Sequence, residues 1–129
     1  MPTVTEPQMK QAMQAYLDTY NRDDLEGIVA LYAEDATVED PVGKPVMKGR
    51  QAIRDFYKYA MTTGARLSLA APIRGSHGNS AAMAFDVTLT LPPHGKLVIR
   101  VIDVMTFNEA GKFSSMRAFW GASDMEKQA

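Results

Sequence analysis

The sequence predicts an α+β fold, with three helices covering one face of a curved antiparallel sheet. Two observations lead there. Between Met9 and Met61 the apolar residues recur at helical spacing over three stretches. From Leu67 onward the period changes to two, and alternating runs are separated by turn-rich segments. Helices grouped ahead of strands give an α+β order, in which the helices must cover one face of the sheet. A cavity between the two layers is a natural place for an apolar ligand.

Thr5 and Gln8 read as a capping box, with Pro7 tolerated in the first helical turn. The stripe Met9, Ala12, Met13, Tyr16, Leu17 and Tyr20 is one face of the first helix. Asp23 with Glu26 opens a second helix, whose buried stripe is Leu25, Ile28, Val29 and Tyr32. A short alternating run follows, with Ala36, Val38 and Asp40 on one side and Thr37 and Glu39 on the other. Pro41 keeps Asp40 extended, and Pro41 to Pro45 is a turn. The third helix runs from about Arg50 to Thr62 on the stripe Ile53, Phe56, Tyr57, Ala60 and Met61, and Gly64 stops it.

The strands come next. Leu67, Leu69, Ala71 and Ile73 alternate with more polar neighbours, and Gly75 to Ser80 turns the chain. Met83, Phe85, Val87, Leu89 and Leu91 form the next apolar face, closed by a turn from Pro92 to Gly95. Leu97 to Phe107 is a long strand, Asn108 to Gly111 a turn, and Phe113 to Gly121 the last strand.

At 129 residues the chain is expected to form one domain, 1–129, with a core of its own. A formal net charge of -1 offers no basic surface, so neither nucleic acid nor anionic lipid is expected as a partner. The absence of cysteine excludes disulfides, thiolate catalysis and cysteine-bound zinc. No apolar run approaches the roughly 18 residues of a membrane span. Met1 to Lys10 is polar and lacks a signal-peptide core, so a cytoplasmic location is expected.

Polar groups on apolar faces are the functional signal. The row Leu97, Ile99, Val101, Asp103, Met105 and Phe107 is apolar except for Asp103. A register slip cannot rescue this carboxyl without moving the whole row to solvent. Desolvation penalises the charged form, so Asp103 is expected to be protonated and to donate a hydrogen bond. Asp40 ends an inward row beside a turn and should be less desolvated. Two acids with separated pKa values can serve as acceptor and donor. Tyr16, Tyr32 and Tyr57 lie on buried stripes, and each buried hydroxyl needs a partner. Met116, Ala118 and Trp120 share one face of the last strand and are candidates for a wall against a flat apolar substrate. Each feature alone has a blander explanation: a core tyrosine with its hydroxyl at the surface, a turn aspartate before proline, or a core methionine. Their coincidence in one small chain points to a site.

Other chemistry is missing. His77 and His94 sit beside glycines in turn-like segments, without partners at metal-ligand spacing. Ser76 lies in a turn and not in a nucleophile elbow, and the same glycine-rich segment matches no phosphate-binding loop. No metal, nucleotide, cofactor or covalent nucleophile is expected.

The segments Ala36 to Pro41 (Ala-Thr-Val-Glu-Asp-Pro), Val101 to Met105 (Val-Ile-Asp-Val-Met) and Arg117 to Trp120 (Arg-Ala-Phe-Trp) resemble the bacterial steroid Δ-isomerases, the 3-oxo-Δ5-steroid or ketosteroid isomerases. Tyr32 to Ala36 and Gly49 to Ile53 match as well, so the resemblance runs from about Met9 to Trp120. It implies an NTF2-like (cystatin-like) fold, three helices on a curved antiparallel sheet around a conical pocket, and a homodimer. It places the general base on Asp40 and the oxyanion hole on Tyr16 and a protonated Asp103. Tyr57 and Tyr32 become the supporting hydroxyls. Met116 and Trp120 become the apolar wall, with Met83 and Phe85 as neighbours. The expected substrate is an apolar, steroid-like small molecule, and no cofactor is needed. This family is itself a recognised example of a carboxylic acid kept neutral by an apolar site. The turns at Arg74–Ser80 and Pro92–Gly95 depart from the family pattern, which bears on steroid preference. Two alternatives stay open: a dehydratase or hydrolase on the same fold, and a binding module for an apolar ligand without chemistry.

Overall fold

The computed structural model describes residues 4–128. Three helices, α1 (Glu6–Asn21), α2 (Leu25–Ala30) and α3 (Arg50–Thr62), accompany one seven-stranded sheet. Its strands are β1 (Tyr32–Glu39), β2 (Met47–Lys48), β3 (Arg66–Leu69), β4 (Ser80–Leu91), β5 (Gly95–Phe107), β6 (Phe113–Phe119) and β7 (Met125–Lys127). They lie in the order β2-β1-β6-β5-β4-β3, with β7 paired to β5 along Leu97 to Ile99, where β6 does not reach. The sheet is curved and mixed, and does not close.

The capping box is formed: Gln8 N–H donates to Thr5 Oγ1 at 3.2 Å, and Thr5 N–H donates to Gln8 Oε1 at 2.8 Å. From there α1 buries Met9, Met13, Tyr16, Leu17 and Tyr20. Its far end is tied to the edge strand β3 by the Asn21 amide, which bonds Leu67 N–H at 2.9 Å and Leu67 C=O at 2.8 Å. Gly64, at φ +71, lets the chain turn out of α3 where the sequence predicts its stop. Between the layers the core is aromatic: Phe113 meets Phe107, Tyr32 and Tyr16 edge-on at centroid distances of 5.2, 5.3 and 6.1 Å. Such pairs add to the burial of rings that each exclude a large apolar area from water.

The structure departs from the sequence reading in four places. First, the sheet is not antiparallel throughout. β1 and β6 run parallel, with Val38 opposite Met116 and Glu39 opposite Arg117. Alternation has a period but no direction, so a crossover pairing leaves no mark in it. Second, α2 ends at Ala30 and Tyr32 opens β1. The carbonyls that would extend the helix are bound elsewhere: Leu31 C=O accepts from Phe113 N–H at 2.9 Å, and Tyr32 C=O from Arg50 Nη2 at 2.6 Å. Third, the run expected to reach Ile73 is a strand only as far as Leu69. Pro72, which has no N–H, interrupts it before an isolated bridge between Arg74 and Ala82. Fourth, β2, β7 and a 3₁₀ turn at Ala122–Asp124 had no signal in the alternation. Among the described residues, no helix is long and apolar enough to cross a membrane.

Candidate active site

A cavity of about 250 Å³ opens between the helices and the sheet. Tyr16 and Tyr20 line it from α1, and Phe56, Tyr57 and Tyr59 from α3. Phe85, Val87 and Leu89 line it from β4, and Ile99, Val101 and Asp103 from β5. Asp40 and Trp120, each just beyond the end of its strand, complete the wall. The lining is mostly apolar with a few convergent polar groups, the usual composition of a small-molecule site.

Asp103 lies in the middle of β5 and is 1% exposed. Its cross-strand neighbours are Met83 on β4 and Ala118 on β6, both apolar. Neither carboxyl oxygen has a hydrogen-bond partner among the described residues. Burial therefore pushes the Asp103 carboxyl well above the ordinary aspartate range, and the negative charge of Asp40 pushes it further. A carboxyl so placed favours its neutral form, which carries a proton to donate.

Three tyrosines form a chain beside it. Tyr32 and Tyr57 hydroxyls are 2.6 Å apart, and Tyr57 and Tyr16 hydroxyls 2.9 Å apart. β1 supplies Tyr32, α3 supplies Tyr57 and α1 supplies Tyr16, so three elements converge on one line of hydroxyls. Burial raises all three well above the ordinary tyrosine value, and they stay neutral. Tyr32 does not line the cavity; it holds Tyr57, which does.

Asp40 continues the inward row of β1, in which Ala36 and Val38 are fully buried. The Trp120 Nε1–H donates to its Oδ1 at 2.9 Å. Burial raises Asp40 above the ordinary carboxylate range, and the indole hydrogen bond pulls in the other direction. Asp40 is thus less displaced than Asp103, the ordering expected from their places in the chain.

Two expected wall residues are not in the wall. Met83 and Met116 are buried in the core at 2% and 1% exposure, and neither lines the cavity. Met83 lies across the strand from Asp103, and Met116 across from Met105, and both belong to the buried core. Phe85 and Trp120 do line it. Tyr20 was missed as a site residue, although its spacing four residues beyond Tyr16 places it on the same helix face. His77 and His94 are exposed and lie outside the lining. No group of three or more metal-ligating side chains is found among the described residues.

Comparison with known proteins identifies the family and the fold. Residues 13–116 match the SnoaL-like domain family. The chain is 42% identical over 118 residues to the steroid Δ-isomerase of Nocardioides simplex, covering 92% of this chain and 94% of that protein. It is 27% identical to the epoxide hydrolase LasB of Streptomyces lasalocidi, covering 96% of this chain but only 51% of LasB. The solved structure of SalBIII, an epoxide hydrolase/cyclase-like enzyme with a role in pyran ring formation in the polyether salinomycin, superposes with a TM-score of 0.89. That match has 34% identity over 95% of this chain and 98% of SalBIII. These relatives are enzymes on one fold, and the chain belongs to the steroid Δ-isomerase family, built on a SnoaL-like, NTF2-like domain.

Proposed function

We propose that the chain is an isomerase that moves the double bond of a 3-oxo-Δ5-steroid into conjugation with its ketone. The observation that carries this reading is a buried Asp103, with no hydrogen-bond partner among the described residues, facing the same apolar cavity as Asp40 and the Tyr16 end of the tyrosine chain. The identity to the steroid Δ-isomerase of Nocardioides simplex supports it.

The reaction begins with the Asp40 carboxylate removing a proton from the carbon between the ketone and the isolated alkene. The electron pair passes to the carbonyl oxygen, giving a dienolate. Tyr16 and neutral Asp103 donate hydrogen bonds to that oxygen, where the charge develops. When Tyr32 donates to Tyr57 and Tyr57 to Tyr16, the Tyr16 proton is left free for the substrate. The Asp40 acid then returns its proton to the far end of the dienolate, and the conjugated enone leaves. One carboxyl is base and then acid, so the sequence needs no cofactor. On the same reading the chain works as a single domain, forms a homodimer and acts in the cytoplasm.

The epoxide enzymes among its relatives point to the rival reaction. Asp103 would then donate to an epoxide oxygen, and Asp40 would activate an attacking oxygen. Isomerisation is favoured because Asp40 is bonded to Trp120 and faces an apolar lining, with little to hold a water in line. The test incubates the protein with a 3-oxo-Δ5-steroid and, separately, with a steroid epoxide. Growth of conjugated-enone absorbance supports the proposal. Epoxide opening without enone formation contradicts it.

A further inference from the structure

We propose that Tyr20 determines specificity, its hydroxyl anchoring a second oxygen on the substrate skeleton apart from the reacting carbonyl. The inference rests on the isomerase reading only for the choice of skeleton. Tyr20 lines the cavity, is 4% exposed, and lies one turn beyond Tyr16 on α1. Its ring sits edge-on to Tyr57, with centroids 6.3 Å apart and planes at 65°. The Asn21 bonds to Leu67 fix the end of the helix beside it. The side chain is therefore held before any ligand arrives, and pre-organisation favours binding.

The hydroxyl is what needs explaining. Tyr16, Tyr32 and Tyr57 bond to one another, but the Tyr20 hydroxyl has no hydrogen-bond partner among the described residues. A phenyl ring would line the same wall; the hydroxyl adds an unbonded donor that is not sealed in the core, because among the described residues only the Asp103 oxygens are buried side-chain polar atoms without a partner. The charges acting on Tyr20 are Asp23 and Arg66, which pair at 2.8 Å on the surface, and Asp40. Burial pushes it up to about 12, so it remains a neutral donor. One helical turn advances roughly 5.4 Å. The matching oxygen, a hydroxyl or ketone, thus belongs on the middle rings of the steroid and not at its far end.

Binding is read through Trp120, the single tryptophan of the chain, which lines the cavity. The probes are a 3-oxo-Δ4-steroid with no other oxygen and a panel of derivatives bearing one hydroxyl on a middle ring. For the unmodified protein, at least one derivative should bind about tenfold tighter than the parent. In Tyr20→Phe that ratio should fall towards one, whatever happens to the affinity for the parent. A wild-type protein that prefers no derivative, or a preference that survives in Tyr20→Phe, would overturn the proposal. Binding needs no turnover, so the two readings fail separately. The predicted preference without enone formation removes the isomerase reading and leaves Tyr20 its role. Isomerisation without preference does the reverse, and absence of binding by every probe removes both.

Discussion

The indole Nε1–H of Trp120 donates to Asp40 Oδ1 at 2.9 Å, joining two residues that lie just past the ends of neighbouring parallel strands. That bond is the only hydrogen bond to the Asp40 carboxyl among the described residues, and it opposes the upward effect of burial. Trp120→Phe keeps an aromatic ring and removes the donor. The Asp40 pKa should rise, moving the acid limb of the kcat/KM profile to higher pH. A pH–rate profile of the two proteins checks it, and coincident acid limbs would contradict it.

Asp103 should trade stability for rate. A buried carboxyl without a partner costs about 1–3 kcal/mol. Asp103→Leu removes that cost among neighbours that are already apolar. The variant should unfold at a higher temperature while kcat falls by roughly a hundred- to a thousandfold. Asp103→Asn keeps an N–H donor and should retain more of the rate without the gain in stability. Calorimetry and steady-state kinetics on both variants separate the two effects.

The same carboxyl sets a pH dependence of folding. Asp103 is raised in the folded state, so the fold retains a proton that the unfolded chain loses above about pH 4. Its cost is smallest below that pH and grows as the pH rises towards the folded value, at up to about 1.4 kcal/mol per unit. Asp40 is shifted in the same direction and acts with the same sign. Melting temperatures followed from pH 4 to neutrality should fall more steeply for the wild type than for Asp103→Leu. Parallel curves would mean that Asp103 titrates alike in both states.

Tyr57 stands at the centre of the hydroxyl chain, within 2.9 Å of Tyr16 and 2.6 Å of Tyr32. Tyr57→Phe leaves both neighbours without that partner and should cost about 1–3 kcal/mol of stability. Tyr16 keeps its own hydroxyl, so the loss of rate should be smaller than in Tyr16→Phe. Denaturant melts and kcat for the two variants test the order.

The legible part of the site was the part that broke a local pattern. Asp103 interrupts an apolar alternation, and its environment follows from that alone. Tyr16 and Tyr57 are visible through helical spacing. Tyr32 was found for a mixed reason: it fits both the stripe of α2 and the inward face of β1, so the residue was identified in the wrong element. Alternation tells which way a side chain faces, but not whether a cavity or another side chain lies there. Periodicity therefore makes Met116 a wall candidate and Tyr20 a core residue, and the family resemblance extends the wall to Met83, whereas the cavity reaches Tyr20 and neither methionine. The Asp40–Trp120 bond joins residues 80 positions apart through a parallel strand pairing that no local pattern encodes.

In the proposed reaction Asp40 carries the proton between two carbons of one substrate. The most direct measurement is the rate of conjugated-enone formation from a 3-oxo-Δ5-steroid by the wild type and by Asp40→Asn, with steroid binding measured in both. The amide variant should still bind the steroid and lose nearly all turnover. Equal turnover in the two proteins would contradict this, because the proton would then travel on another group.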